Sequence, residues 1–219
     1  MSRYRGPKVK VLRKFIGIQN ESLNQRGSNT SSESMLPGFS NKRINKMSGP
    51  GQHGAQLLRK KYSDYGRRLL EKQKLRYNYG ITENQLLHYV KVALNSDTAT
   101  GFALLQQLEM RLDTIIFNFG LARTIVAARQ FVSHGHICVN GKRVNIPSYQ
   151  CIPGDKITLK TEKAKKLIKE QEKTQRTPQT HLSWDNQAQT GTVNSFVTRS
   201  SIPLNIDELL VVEFYSRKL

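Results

Sequence analysis

His53, His134 and His136, the thiols Cys138 and Cys151, and the carboxylates Glu109 and Asp113 are among the residues of this 219-residue chain whose types suit acid–base, nucleophilic or metal chemistry. Their spacing does not gather them. The two cysteines stand thirteen positions apart, with no CxxC pair and no histidine at ligand spacing, so neither a zinc knuckle nor a disulfide framework is indicated. Both are read as ordinary semi-buried thiols, which suits a reducing compartment. Glu109 and Asp113 flank Arg111 on one helix and read as ion-pair partners rather than a catalytic pair. No nucleophile lies beside a base, so no catalytic residue, no metal and no cofactor is expected.

The residues that remain are cations. The chain holds 35 Lys and Arg against 16 Asp and Glu, a formal charge of +19, and such a chain repels itself unless a polyanion answers it. Residues 1–80 carry 18 of the basic residues and 4 of the acidic ones, so the first third is the main electrostatic footprint. Arg59, Lys60, Lys61, Arg67, Arg68, Lys72 and Lys74 form a run too poor in acids for an ordinary solvated helix face, where signs alternate. They are candidates for clamping phosphates, together with Arg3, Arg5, Lys42 and Arg43 upstream and His53 in the turn between. A second constellation combines Arg111, Arg123, Arg129, Lys142 and Arg143 with Asn140, Ser148 and Tyr149. It offers phosphate donors and a ring able to stack on an exposed base, the mix used on folded RNA. His134 is read as stabilising a helix end or reaching a phosphate.

These residues need elements to position them. Residues 1–40 are basic, then polar from Gln19 to Ser34, and read as an arm that orders on a partner. Pro50-Gly51-Gln52-His53-Gly54 is a turn cluster. Ser63 can cap a helix running to about Tyr77, with Gly80 as its stop, and Thr82-Glu83-Asn84-Gln85 fits a capping box ahead of a second helix ending near Asn95. The apolar spacing of Leu105, Leu108, Leu112, Ile115, Ile116 and Phe119 predicts one amphipathic helix from Thr100 to Gly120, and Thr124 caps another that Gly135 closes. The period then becomes two. Ile137-Cys138-Val139 and Lys142-Arg143-Val144 flank Asn140-Gly141, a strong hairpin signal, and Pro153-Gly154-Asp155 precedes one more strand.

Residues from Lys160 to about Thr192 read as a surface helix and loop, with Trp184 as an anchor. Ile206–Tyr215 reads as a buried strand or terminal element packed on something earlier. Tyr65, Tyr77 and Tyr79 are core or stacking residues. The whole is an α+β chain: residues 1–40 an arm, 41–97 a helical domain, 98–172 a module of two helices and a small twisted sheet, and 173–219 a returning segment. No window reaches the ~20 apolar residues of a membrane span, and the start has no signal-peptide core.

Arg111-Leu112-Asp113, Ala127-Ala128-Arg129-Gln130, Val132-Ser133-His134-Gly135-His136-Ile137, Val139-Asn140-Gly141, Pro147-Ser148-Tyr149 and Gly154-Asp155 together resemble the RNA-binding module named after small-subunit ribosomal protein S-four. That module also occurs in pseudouridine synthases and some aminoacyl-tRNA synthetases. The flanks decide between them. Pro50-Gly51-Gln52-His53-Gly54, Ser63-Asp64-Tyr65-Gly66, Glu71-Lys72-Gln73-Lys74, Tyr79-Gly80 and Val211-Val212-Glu213-Phe214-Tyr215-Ser216 are similar to the ribosomal family over nearly the whole chain.

The resemblance implies a helical first domain with the RNA-binding module inserted and the C-terminal segment returning to it. It implies direct binding to 16S-type rRNA at a multi-helix junction of the 5′ domain, nucleation of the subunit body, and contact with ribosomal protein S-five, with S-twelve in accuracy control. Neither a membrane nor a small-molecule substrate is implied. Family members that hold zinc do so with cysteines in the arm, and none precedes Cys138 here. Gln19 to Met35 looks like an insertion. The first seven and last five residues look most like plastid-encoded versions, which makes the chloroplast the expected location and bacterial cytoplasm the second. The readings from other classes are an RNA-modifying enzyme, for which only about forty residues remain beyond the module, and a free RNA chaperone.

Overall fold

The computed structural model describes residues 4–23, 36–40, 48–56, 61–160, 179–185, 187–202 and 204–216, with the backbone alone over 16–23. Contacts divide the chain into two compact units, one of residues 1–87 with 204–219 and one of residues 88–203.

The first unit begins with a helix where the sequence suggested an unordered arm. α1 runs Lys8–Leu23, and Leu12 and Phe15 lie fully inside the unit's core beside Leu36 and Phe39. Two apolar residues three apart suffice to seat one face, although the composition around them is basic. Arg13 fastens α1 to the turn cluster: its Nε donates to Ser48 O at 2.9 Å and its Nη2 to Gly49 O at 2.8 Å. α2 spans Asp64–Tyr79; Ser63 Oγ accepts from Gly66 N, and Gly80 ends the helix in the left-handed region at φ +60. Gly38 N donates to Asn78 Oδ1 at 3.0 Å. Tyr77 joins Tyr4, Phe15 and Phe39 in an aromatic cluster.

The C-terminal run is a helix rather than a strand. α7, Glu208–Ser216, packs on α2, burying Val211, Phe214 and Tyr215 while Leu209 faces outward. The spacing of three and one selects a helical face, so tertiary packing overrides the β-preference of the Val-Val pair. α3, Glu83–Leu94, carries the expected capping box, Thr82 N donating to Gln85 Oε1 at 3.2 Å and Gln85 N to Thr82 Oγ1 at 3.4 Å. The chain passes from the first unit to the second within this helix, after Leu87.

In the second unit the single helix expected from Thr100 to Gly120 is two. α4, Thr100–Glu109, and α5, Leu112–Asn118, are separated at Met110–Arg111, where the backbone of Arg111 turns extended and bridges to Gln150. Ala99, not Thr100, occupies the cap position of α4. α6, Ile125–Ser133, is capped by Thr124 Oγ1 and closes at His134 and Gly135. Asn140 and Gly141 take the positive φ values, 50° and 79°, that the hairpin turn requires.

The sheet is larger than the hairpin and single strand anticipated. β1 (Ile137–Val139), β2 (Lys142–Arg143), β3 (Lys156–Leu159), β4 (Leu182–Asp185) and β5 (Thr190–Val193) form one antiparallel sheet in the order β2-β1-β3-β5-β4. β4 and β5 come from the stretch read as helix and loop. Its alternation is masked because one inward position is Gly191, where an added Cβ would lie 2.5 Å from the Phe119 ring. Trp184 does anchor this segment, its ring centroid 5.2 Å from that of Phe119. Ile137, Val139, Ile157, Leu182 and Val193 face the core, leaving Arg143, Cys138, Lys156, Thr158, Thr190, Thr192, Ser183 and Asp185 on the opposite face. No helix among the described residues is long and apolar enough to cross a membrane.

Candidate RNA interface

The structure sorts the candidate cations by what their charge already meets. Lys72 and Lys74 are 4% and 6% exposed. Lys72 Nζ sits 2.8 Å from Glu83 Oε2 and 4.8 Å from the centre of the Phe214 ring, and Lys74 Nζ lies 3.5 Å from Glu71 Oε1. Glu83 is in turn an acceptor for the Tyr215 hydroxyl at 2.7 Å. Burial would raise its pKa, but the hydrogen bonds from Lys72 and Tyr215 hold it below the usual carboxylate value. Lys72 joins α2 to its neighbours in the first unit, Lys74 pairs within α2, and both side chains are buried. Arg68 is partly drawn in by Glu213 at 2.6 Å. Lys61 and Arg67 stand exposed and make no ion pair among the described residues.

His53 is exposed in a turn closed by Gly49 N to Gly54 O at 3.0 Å. Arg5 is exposed as well. Arg3, Lys42, Arg43, Arg59 and Lys60 lie outside the described residues, as does most of the Gln19 to Met35 stretch.

In the second unit the two arginines of the RNA-binding constellation that lie nearest the core are structural. Arg111 is 2% exposed. Its Nε and Nη2 donate to the two oxygens of Asp113 at 3.0 and 2.9 Å, and its Nη1 donates to the Tyr89 hydroxyl. Burial pulls the Arg111 pKa down, yet the charge of Asp113 leaves it above the ordinary value. Arg129 reaches the same carboxylate, Nη2 to Asp113 Oδ2 at 2.8 Å. Asp113 also accepts from Thr114 N, so it organises the start of α5 and its contact with α6. Glu109, buried in the core, accepts from Asn118 Nδ2 at 3.0 Å.

Asn140 is likewise committed. Its Nδ2 donates to Asp155 Oδ1 at 2.8 Å and its Oδ1 accepts from Lys156 N at 2.9 Å, while Asp155 Oδ2 accepts from Ile152 N. The Asn-Gly and Gly-Asp motifs thus lock the hairpin turn to the turn before β3. Ser148 and Tyr149 ride on a loop tied to the start of α5, Leu112 N donating to Tyr149 O at 2.9 Å and Asp113 N to Pro147 O at 3.2 Å. Ser148 is half-buried and the Tyr149 ring is open to solvent. Cys151 lies behind them, its thiol pushed up to about 12 by burial.

Arg123, Lys142 and Arg143 are among the exposed cations of this unit, as are Lys156 and Lys160. His134 is exposed at the end of α6. The two lysines were not singled out from sequence, though the period-two alternation of β3 would have found them. His136, weighed from sequence for acid–base or metal chemistry, instead packs against an aromatic ring: the Phe131 ring centroid lies 4.9 Å from that of His136, which lies 5.9 Å from that of His134. Among the described residues no group of three or more His, Cys, Asp or Glu side chains is arranged to hold a metal.

Two family models match adjoining parts of the chain. Residues 110–157 match the family model described as "S4 domain", and residues 3–109 match "Ribosomal protein S4/S9 N-terminal domain". The chain is 46% identical to the "Small ribosomal subunit protein uS4c" of Oltmannsiellopsis viridis over 99% of its own length and all of that protein. It is 48% identical to the uS4c protein of Tupiella akineta over 99% of its length, and 48% identical to the uS4 protein of the cyanobacterium Rippkaea orientalis over its full length, covering all of each relative. Buried ion pairs beneath an exposed basic surface, on a chain whose residues 3–157 the two family models match and whose full length aligns with these relatives, mark a member of the small ribosomal subunit protein uS4 family.

Proposed function

We propose that this protein is a structural constituent of the small ribosomal subunit that binds 16S-type rRNA directly. The observation that carries this is the separation of charge: Glu71, Glu83 and Asp113 are occupied by buried cations, while Lys61, Arg67, Lys142 and Arg143 face solvent with no ion pair among the described residues. Such cations gain by displacing counterions from phosphates, and a rigid scaffold beneath them fixes register without base chemistry.

The binding place is a multi-helix junction of the 5′ domain, where the protein nucleates assembly of the subunit body, touches ribosomal protein S-five, and with S-twelve contributes to translational accuracy. The chain works without enzymatic chemistry in the chloroplast, in line with its plastid-type relatives; the cyanobacterial relatives make bacterial cytoplasm the second location.

A footprint of the purified protein on protein-free small-subunit rRNA, titrated across salt, tests this. Protection confined to a 5′-domain junction supports it, whereas diffuse protection that vanishes with salt rejects it in favour of a general basic RNA binder.

A further inference from the structure

We infer that the end of α6 forms a stacking subsite for one unpaired nucleobase, built from Phe131, His136 and His134 and closed by the guanidinium of Arg143. The inference rests on the RNA-binding reading above and adds to it the class of nucleotide this part of the surface takes.

α6 ends at His134, and Gly135 turns the chain at φ +72 into β1. The reversal brings Phe131 of the last helical turn against His136, with centroids 4.9 Å apart and planes 39° apart, and sets His134 5.9 Å from His136. Phe131 and His136 are half-buried, each partly held by the protein and partly open to solvent, and His134 is exposed. A packed ring is a better stacking surface than a freely rotating one, because little rotamer freedom is lost on binding.

Three observations point to a nucleotide. Arg143 lies over the Cα of Gly135, where an added Cβ would fall 2.2 Å from its Nε and Nη2, and its Nη2 reaches toward the His134 carbonyl at 3.5 Å. Its charge therefore stands beside the rings. Lys160 is held there too, because the β1–β3 ladder continues with Lys160 N donating to His136 O at 2.9 Å. No acid forms an ion pair with Arg143 or Lys160 among the described residues. Stacked rings bordered by unpaired cations suit a base and its own phosphate, the arrangement by which single-stranded RNA is held. A paired duplex offers no free base face to such rings.

The test uses the full chain and two probes, a short oligoadenylate carrying a fluorescent adenine analogue and a perfectly paired RNA duplex of equal length. Wild type should quench the analogue. His136→Ala and Phe131→Ala should weaken oligoadenylate binding roughly fivefold or more, the lower end for one base–aromatic stack, and leave duplex binding unchanged. His136→Phe keeps a ring and should retain the affinity, which separates stacking from damage to the fold; circular dichroism checks each variant. Absent quenching, equal oligoadenylate affinity in His136→Ala, equal losses on both probes in a folded variant, or a loss in His136→Phe as large as in His136→Ala would each overturn the inference. None of these outcomes bears on the rRNA footprint, so the two readings fail separately.

Discussion

The guanidinium of Arg111 and the carboxylate of Asp113 meet as a two-pronged pair, Nε to Oδ1 at 3.0 Å and Nη2 to Oδ2 at 2.9 Å, with side chains 2% and 0% exposed. Two residues apart in sequence, they are joined where α4 gives way to α5. Removing one partner strands the other charge away from water. Asp113→Asn is therefore expected to cost about 3–5 kcal/mol, measured by urea unfolding, with both Arg111 and Arg129 losing their shared acceptor.

The pair also shows why part of the site was legible in sequence and part was not. Residue types gave Asp113 as an ion-pair partner, but nothing in a linear pattern distinguishes a surface arginine from one enclosed by a later loop. Pro147–Cys151 folds along Met110–Asp113 and covers Arg111, a contact set by tertiary structure alone. Lys72 and Lys74 misled for the same reason: they lie within a basic helix, and only the return of α7 and the placing of Glu83 take Lys72 inside. Local signals were reliable where chemistry is local. Ser63, Thr82 and Thr124 cap as their types require, and Asn140-Gly141 turns as its φ demands. β4 and β5 were hidden because Gly191 interrupts the apolar alternation to admit the Phe119 ring.

Gly135 is constrained by its own φ of +72 and by Arg143 lying over it. Gly135→Ala should cost about 1–2 kcal/mol, the penalty of the left-handed region for a residue bearing a Cβ. The new methyl should also displace the Arg143 guanidinium, a shift visible in the arginine side-chain NMR signals.

His181 is 1% exposed, and neither ring nitrogen has a hydrogen-bond partner among the described residues. Burial disfavours the charged imidazole and lowers its pKa in the folded chain. Below about pH 6.5, the ordinary histidine value, the unfolded chain binds the proton more readily than the folded one. Stability contributed by the neutral ring is thus complete above that pH and declines as pH falls toward the lowered folded value. Thermal unfolding between pH 7 and pH 5 should show this decline in wild type and a shallower one in His181→Leu.

The Thr124 hydroxyl accepts from Ala127 N at 3.2 Å at the start of α6. Thr124→Ala should cost about 1 kcal/mol in unfolding free energy.

The account's central claim is that exposed cations grip phosphate while buried ones hold the fold, and salt dependence separates the two most directly. Affinity for a 5′-domain rRNA transcript would be measured across salt for wild type, Lys61→Ala, Lys142→Ala and Lys74→Met. Each exposed-site variant should bind less tightly and lower the log–log salt slope by about one, and Lys74→Met should leave the slope unchanged while lowering the unfolding midpoint. An unchanged slope in both exposed-site variants, or a slope lost in a folded Lys74→Met protein, would contradict the claim.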